Sequence, residues 1–251
     1  MVLSGKGGVG KSTVTAHLAL SLASNPSCEV GVLDIDLCGP TLPRMLGVMD
    51  EEVHASNSGW SPISCSDNVC LMSAAALLPD ENSALIWRGP KKHALIKQFL
   101  MEVDWEALDF LLIDTPPGTS DEHLSIVSLL KGVMDGAILV TSPQEMSLLD
   151  VRKEISFCRK VGLPILGVIE NMSSAVCHGC GSSIPVFFPN TGGAEALCKE
   201  LNLPYWGSLP LNEDISLQSD KGLDPDTFAA SAGGKFFEST IMPAFMKAVG
   251  E

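Results

Sequence analysis

Val2-Leu3-Ser4-Gly5-Lys6-Gly7-Gly8-Val9-Gly10-Lys11-Ser12-Thr13 is the stretch on which the fold of this chain turns. Gly5 to Ser12 fits the pattern G-x-x-x-x-G-K-[ST]. Its glycines let the backbone bend until successive N–H groups point inward, at the oxygens of a phosphate. A helix beginning at Lys11 would add its N-terminal dipole. In such a loop the Lys11 ammonium bridges the β- and γ-phosphates and the Ser12 hydroxyl reaches Mg²⁺. A match of this kind arises by chance in roughly one chain of this length in a hundred. Here it also has the required context, a short apolar strand before it and a helical stretch after it. A glycine-rich turn with an incidental Lys-Ser is the plain alternative, and the context argues against it.

Outward from the loop, short apolar runs alternate with helical stretches. Strands are predicted at Val2–Ser4, Val30–Asp34, Phe110–Asp114, Ala137–Thr141, Ile165–Glu170 and Tyr205–Ser208. Helices are predicted at Lys11–Ala23, Lys91–Val103, Glu122–Leu130, Ser147–Lys160 and Gly193–Leu201, with a last one near Lys235–Val249. Strand–helix alternation of this sort predicts an α/β fold, a doubly wound, mostly parallel sheet with helices on both faces. No repeat or low-complexity linker divides residues 1–251, so one domain is expected. Trp60–Ala76 reads as a hairpin-like insertion.

The chain has 251 residues, of which 45% are hydrophobic and 18% charged, a globular composition. Sixteen Lys+Arg against thirty Asp+Glu give a formal charge of −14, which disfavours a protein that works by wrapping nucleic acid or lying on an anionic membrane. Mean hydropathy is +0.25, yet no apolar run approaches the ~18–20 residues that span a bilayer. No charged leader with an apolar core opens the sequence, so a cytoplasmic location is expected. Eight cysteines are too sparse for a secreted disulfide scaffold.

Two acidic strand ends complete the phosphate site. Val32-Leu33-Asp34-Ile35-Asp36 places two carboxylates two residues apart, on one side of a strand end. Phe110–Asp114 runs into Thr115-Pro116-Pro117-Gly118-Thr119. A strand-end aspartate beside a phosphate loop commonly holds Mg²⁺ through water, and Pro-Pro-Gly fits a loop that senses the γ-phosphate. Asp36 and Asp114 are therefore the candidate catalytic carboxylates. Farther on, Cys177-His178-Gly179-Cys180 sets two sulfurs on one turn, a bite that suits Zn²⁺, an Fe–S cluster or a redox disulfide. Four ligands are lacking in one chain, but a two-fold dimer would supply two cysteines from each subunit. Cys38, in the switch-like Asp-Leu-Cys-Gly-Pro, reads as a small packing thiol ahead of one that tunes the site, and Cys65 and Cys70 as exposed or half-buried thiols ahead of a second metal site. Arg88, Lys91 and Lys92 form either an anion patch or a solvated helix start.

Lys6-Gly-Gly-Val-Gly-Lys-Ser-Thr13 resembles the deviant phosphate loop of the MinD/ParA/nitrogenase-iron-protein class. That resemblance implies a Lys6 reaching across a dimer interface to the partner's nucleotide. The whole chain resembles the Mrp/ApbC branch of these ATPases, the Fe–S cluster carriers and scaffolds. The motifs are Gly5–Thr13, Asp34-Ile-Asp-Leu-Cys-Gly-Pro40, Trp87-Arg-Gly-Pro90, Asp114-Thr-Pro-Pro-Gly-Thr-Ser-Asp-Glu122, Glu170-Asn-Met-Ser173 and the cysteine pair. Asp-Leu-Cys-Gly-Pro and Trp-Arg-Gly-Pro-Lys-Lys92, with a chain that opens at the phosphate loop, resemble the shorter scaffold subunit of the eukaryotic cytosolic branch.

The resemblance implies ATP held by Gly5, Lys6, Gly7, Gly8, Val9, Gly10, Lys11, Ser12 and Thr13, with Asn171 against adenine. It places Mg²⁺ at Ser12, Asp36 near the attacking water and Asp114 as the switch residue on the Mg²⁺ side, with Lys6 and Lys11 as the catalytic cations. Cys177 and Cys180 become ligands of a [4Fe–4S] cluster that bridges two subunits. Expected partners are a second copy, a longer homologous scaffold subunit with an N-terminal cysteine motif, and downstream apoprotein-targeting factors, with no nucleic acid and no membrane. Thr41 stands where the family usually has serine and keeps the hydroxyl. A MinD/ParA-type positioning ATPase and a zinc-bridged dimer are the rival readings, and a small-molecule kinase is a more distant one.

Overall fold

The computed structural model describes residues 1–37, 39–56, 59–77, 89–176, 179–180 and 182–250. Cys38, Trp87, Arg88, Cys177 and His178, all singled out in the sequence, lie outside the described residues. In chain order the elements are β1 (Val2–Leu3), α1 (Lys11–Ala23), β2 (Val30–Asp34), α2 (Leu42–Met45), β3 (His54–Ser56), β4 (Gly59–Ser61), β5 (Ile63–Ser66), β6 (Val69–Ser73) and α3 (Gly89–Met101). There follow β7 (Phe110–Asp114), α4 (Asp121–Leu129), β8 (Ala137–Thr141), α5 (Glu145–Val161), β9 (Ile165–Glu170), β10 (Ser174–Val176), β11 (Ser183–Pro185), α6 (Gly193–Leu201) and β12 (Tyr205–Ser208). The chain ends in α7 (Glu213–Lys221), α8 (Pro225–Ala230), α9 (Ala232–Phe236) and α10 (Met242–Val249).

Eight strands form one sheet in the order β12-β9-β8-β1-β7-β2-β6-β5, parallel throughout except for the last pair. Period-2 alternation splits each buried strand between two cores. Val2, Val32, Val140 and Ile169 pack under α1, α8 and α10 on one face. Leu3, Leu33, Leu139 and Val168 pack under α3, α5 and α6 on the other. The expected doubly wound α/β sheet is the one observed. Because the strands are covered on both faces, they read as continuous apolar runs.

Two expectations need correction. Trp60–Ala76 is no insertion: β6 lies parallel to β2 in the main sheet, β5 turns back on it as the antiparallel edge, and β4 pairs with β3 instead. Nor is Lys235–Val249 one regular helix. A π turn at Phe237–Ile241 separates α9 from α10, and Pro243, which has no N–H to give, sits in the first turn of the latter. Among the described residues no helix is long and apolar enough to cross a membrane.

Two packing details give stability predictions. A Cβ on Gly167 of β9 would collide with the Trp206 indole of β12, and Trp206 is buried, 6% exposed. Gly167→Ala is expected to destabilise the protein by about 1–3 kcal/mol, measured by denaturant unfolding. Glu154 of α5 is buried, and its Oε2 has no partner. Burial, with Asp150 one turn away adding to it, pushes the carboxyl up to about 7. The folded chain therefore holds its proton while the unfolded chain ionises, so stability falls as pH rises from the ordinary glutamate range toward 7. Glu154→Gln should melt higher than wild type at pH 8, and the gap should close by pH 4.5, as read by thermal melting across pH.

Candidate functional site

The carboxyl ends of β1, β2 and β7 meet at the phosphate loop. Gly8 and Gly10 have φ of 78° and 85°, values that L side chains rarely adopt, and a Cβ on Gly10 would strike the Asn171 carboxamide. Gly10 precedes α1, which has no capping side chain and no carboxylate in its first turn. Its first N–H groups are thus left for an anion. The loop borders a cleft of about 280 Å³ lined by Ser4, Gly7, Gly8, Gly10, Lys11, Ser12, Thr13, Asp36, Gly39, Thr41, Met45 and Pro117. Ser4 Oγ is buried there without a partner.

Lys11 and Asp114, 103 residues apart, form a buried ion pair at 2.6 Å. Ser12 Oγ donates to the same Asp114 oxygen at 2.6 Å, and Thr15 Oγ1 donates to the other at 2.6 Å. Thr15 also donates to the Lys11 carbonyl one turn back. Asp114 is therefore gripped by three side chains from the first turns of α1. Thr15 was missed in the sequence; only its spacing of four from Lys11, one helical turn, could have suggested it.

Asp34 and Asp36 do not share one side of a strand. β2 ends at Asp34, so the period of two stops there. Asp34 is fully buried, in register with Asp114 on the neighbouring strand. It accepts from Ser73 Oγ at 3.1 Å and from the Asp36 N–H at 3.0 Å. Burial raises its carboxyl well above the ordinary aspartate range, and the Asp114 charge adds to that. Asp36 instead lies half-buried in the loop and lines the cleft.

The remaining predicted residues fall around this centre. Asn171 directly follows β9 and donates through Nδ2 to the Val9 carbonyl at 2.9 Å, so its side chain touches the phosphate loop. Gly5 packs against Asp150 of α5. Lys6 is not among the residues that line the cleft, and its Nζ donates to Gln144 Oε1 at 3.1 Å, just before α5. Lys92 is bound to Glu122 at 2.6 Å and so braces α3 on α4. Cys65 and Cys70 are half-buried, and burial pushes their thiols up to about 12 and about 11. Neither is poised to ligate.

The cysteine loop is carried by a feature the sequence did not suggest. β10 and β11 form an antiparallel hairpin, with Val176 opposite Ser183. Ser173 N–H and Leu211 N–H bond across to Leu209 and Ser174, anchoring the hairpin base on the segment after β12. Cys180 lies exposed between the two strands, its Sγ 3.0 Å from Ser182 Oγ.

A family model described as ParA, NUBPL iron-transfer P-loop NTPase, matches residues 1–241. A protein of Drosophila sechellia named cytosolic Fe-S cluster assembly factor Nubp1 homolog is 58% identical over 233 residues, 91% of this chain and 75% of that protein. Among solved structures, the nucleotide-binding protein of Archaeoglobus fulgidus, described as in complex with ADP and with Co found in it, matches with a TM-score of 0.78 and 32% identity. That match covers 94% of this chain and 90% of the other. The septum site-determining protein MinD of Pyrococcus horikoshii, complexed with Mg-ADP, matches at a TM-score of 0.59 and 24% identity, over 99% and 92% of the two chains. The last match bears on the fold alone.

Proposed function

This chain belongs to the ParA family of NUBPL iron-transfer P-loop NTPases, and from that premise we propose that it is a cytosolic ATPase scaffold that assembles [4Fe–4S] clusters and passes them to apoproteins. The observation that carries the nucleotide half is the Lys11–Ser12–Thr15–Asp114 constellation at the mouth of an open helix N-terminus. Lys11 has a carboxylate where a phosphate would otherwise draw it. The family name and the relatives' name support the iron–sulfur half and the cytosolic location. The relatives carry the Nubp1 name, so the shorter-subunit assignment draws no support from them.

The site fits a Mg²⁺–nucleotide. Ser12 Oγ and the Asp114 carboxylate are hard oxygen donors 2.6 Å apart beside the cleft, and the buried Ser4 hydroxyl has no protein partner. Ser12 would hold the ion directly and Asp114 through water. When bound, the ion neutralises charge on the β- and γ-phosphates. Lys11 leaves Asp114 for those phosphates, the glycine-rich backbone orients them, and Asp36 faces the attacking water. Asn171 borders the base, and hydrolysis is slow and works as a switch. Freed and regripped by Lys11, Asp114 moves the loop that follows it.

The cargo sits on Cys177 and Cys180, two from each of two subunits. The start of α5 supports a dimer face here. Gln144 receives Lys6, Glu145 receives Thr191, three residues beyond Phe188, and Met146, Leu149 and Phe188 are exposed by 57%, 54% and 80%. Exposed apolar groups of this size mark association surfaces. The second subunit is another copy or a longer homologous scaffold subunit with an N-terminal cysteine motif. Apoprotein-targeting factors act downstream, with no role for nucleic acid or membrane.

Anaerobic purification and reconstitution with iron and sulfide tests the reading. About four irons and four sulfides per dimer, with the visible absorption of a cubane cluster, are expected. Zinc without iron or sulfide would leave a metal-stapled dimer in its place.

A further inference from the structure

We propose that His123 is a positioning residue for ATP turnover, a neutral imidazole that clamps the far end of the loop running from Asp114 to α4. The inference rests on the nucleotide half of the reading above. At its near end this loop is tied to β1 and the residue after it: Thr115 Oγ1 donates to the Val2 carbonyl and Gly118 N–H to the Ser4 carbonyl, both at 2.8 Å. Pro117 between them lines the phosphate cleft. At its far end the Ser120 N–H donates to His123 Nδ1 at 3.1 Å, and Ser120 Oγ lies 3.0 Å from the same nitrogen.

A nitrogen that accepts an N–H carries no proton, so the ring's single proton is on Nε2. Nε2 is buried and has no hydrogen-bond partner in a side chain that is 0% exposed. Such an orphan is rare in a native interior and calls for a reason. The Pro116 carbonyl, four residues before Ser120 in the same loop, works against burial and raises the ring's pKa slightly. The Phe157 ring of α5 meets the imidazole edge-on at 6.0 Å and 80°. Glu122, next in sequence, is held by Lys92 of α3, which fixes the turn that carries the ring.

A neutral imidazole with its proton on Nε2 leaves Nδ1 free to accept the Ser120 N–H, the contact that holds the far end of the loop. Burial, with the Lys11 charge adding to it against the pull of Glu122, lowers the ring's pKa to about 4, so it stays neutral in the cell. When phosphates draw Lys11 from Asp114, the near end of the loop loses a partner while the far end stays fixed. The loop then moves about a pivot.

His123→Phe keeps the ring and its packing and removes both polar atoms, whereas His123→Gln keeps one donor and one acceptor. In the full chain, the phenylalanine variant should lose about tenfold in kcat with KM for ATP within about twofold, and its Ser120 amide should exchange hydrogen about tenfold faster. The glutamine variant should recover most of both losses. Wild-type turnover and exchange in the phenylalanine variant would overturn the clamp, as would equal losses in both variants. Should the phenylalanine variant not fold, the glutamine variant decides alone: near-wild-type values uphold the clamp and tenfold losses sink it. If the wild type turns over no ATP, the nucleotide reading fails, and Ser120 exchange alone decides the clamp.

Discussion

Lys11→Ala should remove ATP hydrolysis, lowering turnover by about 10²–10³-fold or more, and should weaken nucleotide binding at the same time. Two roles are lost together. The ammonium is the one cation that reaches from the phosphate loop into the buried centre, and in the structure it neutralises Asp114 at 2.6 Å. Without it Asp114 stays buried beside Asp34, held only by the Ser12 and Thr15 hydroxyls. Removing one member of a buried pair commonly costs 3–5 kcal/mol, and the two remaining hydroxyl bonds argue for about 3. Thermal melting without nucleotide measures that cost, and equilibrium binding of ATP with single-turnover hydrolysis measures the rest. A second variant, Asp114→Asn, removes the carboxylate but keeps an oxygen acceptor for the hydroxyls, and it should lose hydrolysis with a smaller stability cost. If Lys11→Ala hydrolysed ATP at the wild-type rate, the site would be misassigned. If it loaded and delivered clusters normally in cells, the coupling of nucleotide to cargo would be wrong.

Replacing both Cys177 and Cys180 by alanine should remove the cluster altogether, dropping bound iron and sulfide to background after anaerobic reconstitution. The reason is stoichiometric. A cubane cluster needs about four protein thiolates, and among the described residues no group of three or more histidine, cysteine, aspartate or glutamate side chains is arranged to hold a metal. The scattered thiols offer no substitute. Cys158 and Cys198 are buried, with their thiols pushed up to about 12 and about 11 by burial, and a thiol must deprotonate to ligate. Cys180 stands exposed at the end of a hairpin, so the double variant should keep the fold and change unfolding free energy by no more than about 0.5 kcal/mol. Iron and sulfide retained at wild-type levels would move the cargo to another site.

The hairpin also bears on how cargo and nucleotide communicate. Asn171 bonds to the Val9 carbonyl in the phosphate loop, and β10 begins three residues later. Met172 between them has φ of 59°, so the chain turns sharply from the nucleotide site into the strand that leads to Cys177. The link between the two halves of the proposed function is therefore short and covalent.

Much of this was legible in the sequence. Gly5 to Ser12 could be read because a phosphate loop needs glycine at fixed spacings, a local requirement. Asp114 could be read because it closes an apolar strand. Strands β7, β8, β9 and β12 and helices α1 and α6 follow from local periodicity, and the sequence places each within a residue or two. β6 escaped because a parallel strand is defined by its neighbour: Val69–Ser73 joins β2 through register with Val30–Asp34, which no local pattern in Val-Cys-Leu-Met-Ser reveals.

By itself, then, the sequence determined the phosphate loop, the strand ends around it, the doubly wound α/β class and the cysteine pair, because those depend on spacing along the chain. Only the tertiary structure decided the order of the strands, the three-fold grip on Asp114, the burial of Asp34, the hairpin on either side of Cys180 and the burial of the His123 ring beside Ser120. Each of these joins groups brought together by crossovers or turns, and it depends on which strand lies beside which and on what water can reach. Spacing along the chain carries neither.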